Sequence, residues 1–364
     1  MFHLTVSVKI VSVCLTAFAT EEILADKNLN VSEAPLDIGT AFPIASATSQ
    51  SNSALEPCSQ ERIERLERSV RDLEASIEQR VRDALVRRMF IPNLLVSDKE
   101  HGKFMQYSTC SSADFLHPRY AQICKLIDVS PIFNRKRWEW AFIIHKLQEA
   151  GVLAKGKRGI VFGVGKEKLP SLFCSFGASV VATDAPDEIG ANAGWNAGNQ
   201  HSNSLEELRF REIVSDTLFD QLVTHRSCDM NAISDDLVDF DFAWSSCCFE
   251  HLGSLEAGMQ FVINSVEKTL KVGGVACHTT EFNLSSEDET MEKGPTVIYR
   301  RKDMLELVDR LRERGHEVEP FVMAPDSHFL DYYVDAPPFG SNPHFKLLLD
   351  KYVATSVGIV VRRR

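Results

Sequence analysis

Residues 158–186, RGIVFGVGKEKLPSLFCSFGASVVATDAP, constrain the fold more than any other stretch of the chain. Gly159 to Phe162 is a short apolar run of the length of a buried strand. Gly163-Val164-Gly165 follows as a tight turn. Leu169, Leu172, Phe173 and Phe176 then recur at i, i+3, i+4 and i+7, one face of a helix. Pro170 suits the first turn of that helix and Gly177 its C-terminal stop. Ala178 to Thr183 is a second apolar run, closed by Asp184. Glycines let the backbone approach a ligand closely, and a helix N-terminus offers unsatisfied N–H groups. An acid ending the second strand can accept both hydroxyls of a ribose. The unit therefore reads as a nucleoside site, with a purely structural βαβ unit as the plain alternative.

The spacing narrows the ligand. A dinucleotide loop requires G-x-G-x-x-G, and here Lys168 holds the sixth position, which disfavours a pyrophosphate. A P-loop requires Gly-Lys-Ser/Thr, and Gly165-Lys166 is followed by Glu167.

The 364 residues can hold a domain of about 200 residues or more plus extensions. A formal charge of −11 argues against a nucleic-acid binder that works by its overall field, and leaves a local basic patch open. Nine cysteines without C-x-x-C spacing predict a reduced, cytoplasmic protein with no zinc site, and adjacent Cys247 and Cys248 do not easily bridge each other. Leu4 to Phe18 is fairly apolar, and Ala17-Phe18-Ala19 has the form of a signal-peptidase site. However, Met1-Phe2-His3 carries no Lys or Arg and Lys9 interrupts the run, so no signal peptide is expected. The run is also too short to span a bilayer, so no membrane association is expected.

The rest of the chain divides by composition. Residues 1–57 end in a Ser-, Ala-, Thr- and Pro-rich linker, read as disordered, with the signal-like segment at 1–19. Residues 58–89 turn abruptly to Glu, Arg and Leu. Ile63, Leu66, Val70, Leu73 and Ile77 follow a 3-4-3-4 spacing, the seam of a coiled coil, before Arg80 takes the next seam position. A homodimer through residues 59–85 is the expectation, against a solvated helix or one folded back on its own domain. Residues 90–157 read as a helical lead-in, with Trp138 and Trp140 either anchoring a helix on the sheet or covering a substrate. Residues 158–364 form the main domain. A polar loop follows Asp184, a helix is predicted over 205–222, and strands over 224–230, 238–246, 275–280, 316–323 and 355–361. Helices are predicted around Leu255–Leu270 and Met304–Leu311. Strands alternating with helices mean a parallel sheet covered on both faces. The expected fold is α/β, a Rossmann-like seven-stranded sheet, mostly parallel with an antiparallel last strand, behind a helical, coiled-coil N-terminal extension.

The stretch DFAWSSCCFEHLGSLEAGMQFVINSVEKTLKVGGVACHTTEF resembles the fourth strand, following helix, Gly-Gly turn and fifth strand of class I S-adenosylmethionine (SAM)-dependent methyltransferases. With GKRGIVFGVGKE, CDMN and HTTEFNLSS, it resembles bacterial members suspected of acting on glycans or secondary metabolites. The resemblance covers about residues 135–362. It implies that Gly163 and Gly165 lie under the methionine portion of SAM, that Asp184 holds the ribose, and that Asp229 accepts the adenine amine while Met230 covers the ring. It also places Ser245 and Ser246 beside the cofactor. The chain departs from the family pattern at Val161, where an acid is usual, and at Glu167, where a glycine is usual. Glu167 could supply the missing carboxylate to the amino acid end of SAM.

Methyl transfer to an alcohol needs a base near the acceptor. His251, His278 and Glu281 fall at the correct edge of the sheet, with His278 and Thr280 facing one way and Thr279 the other. Each has a plainer role: His251 bonding its loop, His278 packed neutral in the core, Glu281 paired with Arg300 or Arg301. His278, Glu281 and Glu250 lack metal-ligand spacing, so no metal is expected. The reading is a methyltransferase acting on an oxygen of a glycan or small metabolite. The other reading is a non-catalytic SAM-fold scaffold assembled through its coiled coil.

Overall fold

The computed structural model describes residues 57–88, 102–186 and 204–364. The signal-like segment, the linker and most of the loop after Asp184 lie outside the described residues. The chain divides into two units, residues 1–92 and 93–364.

In the first unit, α1 (Pro57–Arg88) is one uninterrupted helix. Its sequence holds no glycine or internal proline, and it is dense in Glu, Arg and Leu, all good helix formers. Ile63, Leu66, Val70, Leu73 and Ile77 are exposed along it.

The second unit begins with the short helices α2 (Ser112–Leu116) and α3 (Pro118–Leu126), then α4 (Arg135–Glu149). Asn134 caps α4, accepting from the N–H groups of Lys136 and Arg137. Fully buried Trp138 anchors α4 by donating to Asp114 at 2.8 Å, so this tryptophan serves the fold. The sheet follows: β1 (Arg158–Phe162), β2 (Ser179–Asp184), β3 (Val223–Ser227), β4 (Phe240–Ser246), β5 (Leu270–Asn283), β6 (Glu317–Val318) and β7 (Tyr352–Arg362). Their order is β3-β2-β1-β4-β5-β7-β6, and a short strand, Leu347–Leu349, also pairs with β7. The pairs from β3 through β5 are parallel, and β7 runs antiparallel to both β5 and β6. This is the mostly parallel, Rossmann-like α/β sheet with an antiparallel last strand.

Helices cover both faces. α4 packs over β4, β5 and β7, so closely that a Cβ on Gly358 would overlap the Phe142 ring. On the same face α5 (Leu169–Ser175) sets Phe173 edge-on to Trp244, 4.8 Å between centroids. The opposite face holds α7 (Leu255–Asn264) and α8 (Arg301–Glu313), whose Phe261, Val262, Met304 and Leu307 meet Ile160, Ala243 and Ala276.

Several segments differ from expectation. Residues 205–222 form a 3-10 turn, Leu205–Leu208, and a separate short helix α6 (Asp216–Leu222). Arg209 and Arg211 bond Glu206 and Asp216 across the break, and Ser215 caps the new helix. Strand β3 stops at Ser227, leaving Asp229 and Met230 in the following turn. Of residues 316–323 only Glu317–Val318 pair as a strand. Pro320 has no N–H to give a ladder, and Ser108 takes both the N–H and the carbonyl of Val322.

Candidate functional site

The C-terminal ends of β1, β2, β4 and β5 converge on one polar region. At the end of β1, Gly163 and Gly165 have φ of +63° and +52°. Only glycine adopts these angles at no steric cost. Asp184, at the end of β2, accepts from the Gly165 N–H at 2.9 Å and from its neighbour Ala185 at 2.8 Å. The acid therefore pins the glycine turn to the second strand. A Cβ on Gly163 would lie 2.7 Å from Cys248 Sγ and 3.7 Å from Met230 Sδ, so these groups border the missing side chain. The Cys248 thiol also donates to the Gly163 carbonyl at 3.1 Å. Gly163, Gly165, Asp184 and Met230 thus come together, while Asp229 accepts from Asn231 N–H in the turn beside them.

Glu167 is buried next to this turn and accepts from Trp244 Nε1 at 2.6 Å. Burial pushes its carboxyl up to about 8, against the downward pull of that hydrogen bond.

Ser245 and Ser246 point to opposite faces, as a strand's alternation requires. Ser246 joins a buried network around Glu139, a residue of α4. Glu139 forms ion pairs with Arg135 at 3.2 Å and Lys136 at 2.7 Å. It also accepts from Ser356 at 2.5 Å and from the Cys247 thiol at 3.0 Å. Burial alone would raise its pKa, but Lys136 and Arg135 hold it at about 2.

Arg135 also reaches Glu281 on β5 at 2.6 Å. Burial raises the Glu281 carboxyl to about 7 even against that guanidinium, and Glu250 adds to the rise. Glu281 therefore pairs with Arg135, whereas Arg300 pairs with Glu292 and Asp303. One oxygen of each of two buried acids, Glu281 Oε2 and Glu250 Oε1, has no hydrogen-bond partner. Cys247, Glu250 and Glu281 bring donor atoms within 4.8 Å of one another. The Arg135 guanidinium already touches both Cys247 and Glu281, supplying the positive charge a metal would bring.

The two histidines separate. His278 and Thr280 face α7 and its neighbours, opposite Thr279, as the strand pattern predicted. His278 is completely buried, with Nδ1 at 2.8 Å from Ser245 Oγ and Nε2 at 2.9 Å from Ser265 Oγ. Ser265 donates to the Val262 carbonyl, so it accepts from Nε2–H and Ser245 donates to Nδ1. Burial drives the His278 pKa down to about 3. This corrects the expectation that His278 could serve as a base: its basic nitrogen is occupied and sealed from any acceptor. Ser245, which holds it, is likewise part of the core rather than of the cofactor edge. His251 sits in a single 3-10 turn, Phe249–His251. Its Nδ1 lies 2.8 Å from the Pro295 carbonyl, which places the proton there and makes Nε2 the acceptor of the neutral ring. That Nε2 is 3.9 Å from Glu250 Oε1.

Arg135, Lys136, Glu139 and Cys247 were not singled out as site residues from the sequence, and Glu250 was weighed there only as a metal ligand. For Arg135, Lys136 and Glu139 the signal was an acid at i+4 and i+3 from two bases on one helix, a buried ion pair in the making.

Among the described residues, no helix is long and apolar enough to cross a membrane. No family model and no curated protein matches the chain. Solved structures do. A candidate sarcosine dimethylglycine methyltransferase from Galdieria sulphuraria is 18% identical over 51% of this chain, with a TM-score of 0.32. The chain covers 60% of that protein's length. The methyltransferase domain of bacterial CtHen1 is 12% identical over 63% of this chain and 100% of its own, with a TM-score of 0.38. The glycopeptide N-methyltransferase MtfA, complexed with sinefungin, is 13% identical over 64% of this chain and 94% of its own, with a TM-score of 0.37. The Rossmann-like strand order rests on this chain's own strand pairing.

Proposed function

We propose that the chain is a SAM-dependent methyltransferase acting on an oxygen of a glycan or small metabolite in the cytoplasm. The observation that carries the reading is the glycine turn pinned by Asp184 at the C-terminal edge of the sheet, with Cys248 packed directly on Gly163 and Met230 beside it. Asp184 would hold the ribose, and Asp229 and Met230 the adenine. Glu167 would receive the ammonium of the amino acid end. Lys136, which bonds the Ser246 carbonyl and Glu139 and acts electrostatically on Glu167, would receive the carboxylate. Bound there, SAM supplies a methyl activated on a sulfonium.

The chain's own residues then orient the acceptor and take its proton. Glu281 is the preferred base, because a carboxyl titrating near 7 is matched to proton transfer at neutral pH. Arg135 positions it. The unpartnered oxygens of Glu281 and Glu250 favour an acceptor with several hydroxyl donors, which supports a sugar-like substrate. His251 Nε2, beside Glu250, is the second choice. The free state of the seven described cysteines supports a reducing compartment.

Calorimetry with SAM and its demethylated product tests the cofactor. Binding of neither would favour the non-catalytic scaffold instead. Asp184→Ala should weaken SAM binding by about 1.5–3 kcal/mol, the loss of a charged acceptor. Unchanged affinity in a folded variant would sink the assignment. A methyl-transfer screen of glycan and metabolite acceptors tests the rest, and Glu281→Gln should keep SAM affinity and lose about 10²–10⁴-fold in turnover.

A further inference from the structure

α1 carries five large apolar side chains in water. Ile63, Leu66, Val70, Leu73 and Ile77 are each 48–61% exposed, although every one sits on the same stripe of the helix. Such a stripe bordered by charge marks a surface that another helix covers.

The identities along the stripe name the occupant. Its 3-4-3-4 spacing assigns Ile63, Val70 and Ile77 to position a of a heptad, and Leu66 and Leu73 to position d. β-branched residues at a with leucine at d favour two parallel strands over three or four. The flanking residues agree. Position e holds Glu67 and Glu74, and position g holds Arg62, Ser69 and Ser76. In a parallel pair, g of one helix meets e of the following heptad of the other, so Arg62 faces Glu67 of the second copy and Ser69 faces Glu74. In an antiparallel pair, e faces e, which sets Glu67 against Glu74 and repels. The parallel arrangement therefore gains an attraction where the antiparallel one meets like charges.

We propose that residues 62–80 of α1 join two copies of this chain as a parallel, in-register, two-stranded coiled coil. The seam is short, little more than two heptads. Arg80 ends it, because it holds the next d position and would face its own counterpart. Pairing is accordingly reversible and concentration-dependent. It rests on α1 alone and is independent of the methyl-transfer reading.

The test uses the full chain. Sedimentation from about 5 to about 100 µM should show the mass rising from one chain toward two. The double substitution Leu66→Asp and Leu73→Asp should weaken association at least tenfold while leaving the thermal midpoint of the sheet unit unchanged. Orientation is read by oxidation of Ile63→Cys and Ile77→Cys variants, each in a Cys14→Ser, Cys58→Ser background. These positions are about 21 Å apart along the helix, at 1.5 Å per residue. Each variant alone should give a covalent two-chain species. A wild-type mass of one chain throughout that range, or of three chains, overturns the proposal. So do crosslinks that form only when the two cysteine variants are mixed, the mark of antiparallel pairing.

Discussion

Replacing Glu139 by glutamine removes the charge at the centre of the buried network while keeping nearly the same shape. Glu139 is fully buried, and its pKa is held at about 2 rather than the ordinary 4.5. That difference is a preference of about two to three orders of magnitude for the ionised form in the fold, or about 3 kcal/mol. Part of it must be discounted, because the Lys136 side chain is 39% exposed and water screens that pair. Glutamine also leaves Arg135 and Lys136 with a weaker partner, which adds a cost. The expected loss is about 2–3 kcal/mol near pH 7, read from urea unfolding. Its pH dependence follows from the depressed folded pKa. The stabilisation is fully present above about pH 4.5 and is lost as pH falls toward about 2, so at pH 3 the two proteins should differ by less than half as much. A variant within about 0.5 kcal/mol of wild type at pH 7 would refute the account. A difference that does not shrink between pH 4.5 and pH 3 would also refute it.

Two further predictions concern neighbouring groups. Burial holds the Glu167 carboxyl protonated below about 8, so an incoming ammonium must displace its proton; SAM affinity should rise with pH up to about 8, and Glu167→Gln should flatten that profile in calorimetry. His278→Ala should lower stability by about 2–4 kcal/mol by taking the ring from buried Ser245 and Ser265, of which Ser265 keeps its bond to the Val262 carbonyl, and by opening a cavity. It should leave SAM affinity intact. A variant of ordinary stability that loses turnover instead would restore His278 as a base.

What the sequence determined was local. The 2.0- and 3.6-residue periods, together with Pro170, Gly177 and Gly315, located strands and helices because these signals act within a few residues. The turn at Gly163–Gly165 and the acid at Asp184 were legible for the same reason: they sit at the ends of one strand–helix–strand unit. The 3-4-3-4 stripe on α1 likewise declared itself. Tertiary structure decided which charges meet. Glu139 lies 108 residues from Cys247 and 217 from Ser356, yet it bonds both. Glu281 found Arg135, 146 residues away, rather than Arg300 nearby, because β5 and the start of α4 arrive at the same sheet edge. His278 looked like a candidate base until the strand's alternation turned it into the core, toward Ser245 and Ser265. Burial then set the protonation of Glu167, Glu281 and His278. Burial depends on what packs against a residue from elsewhere in the chain, and no local spacing encodes it.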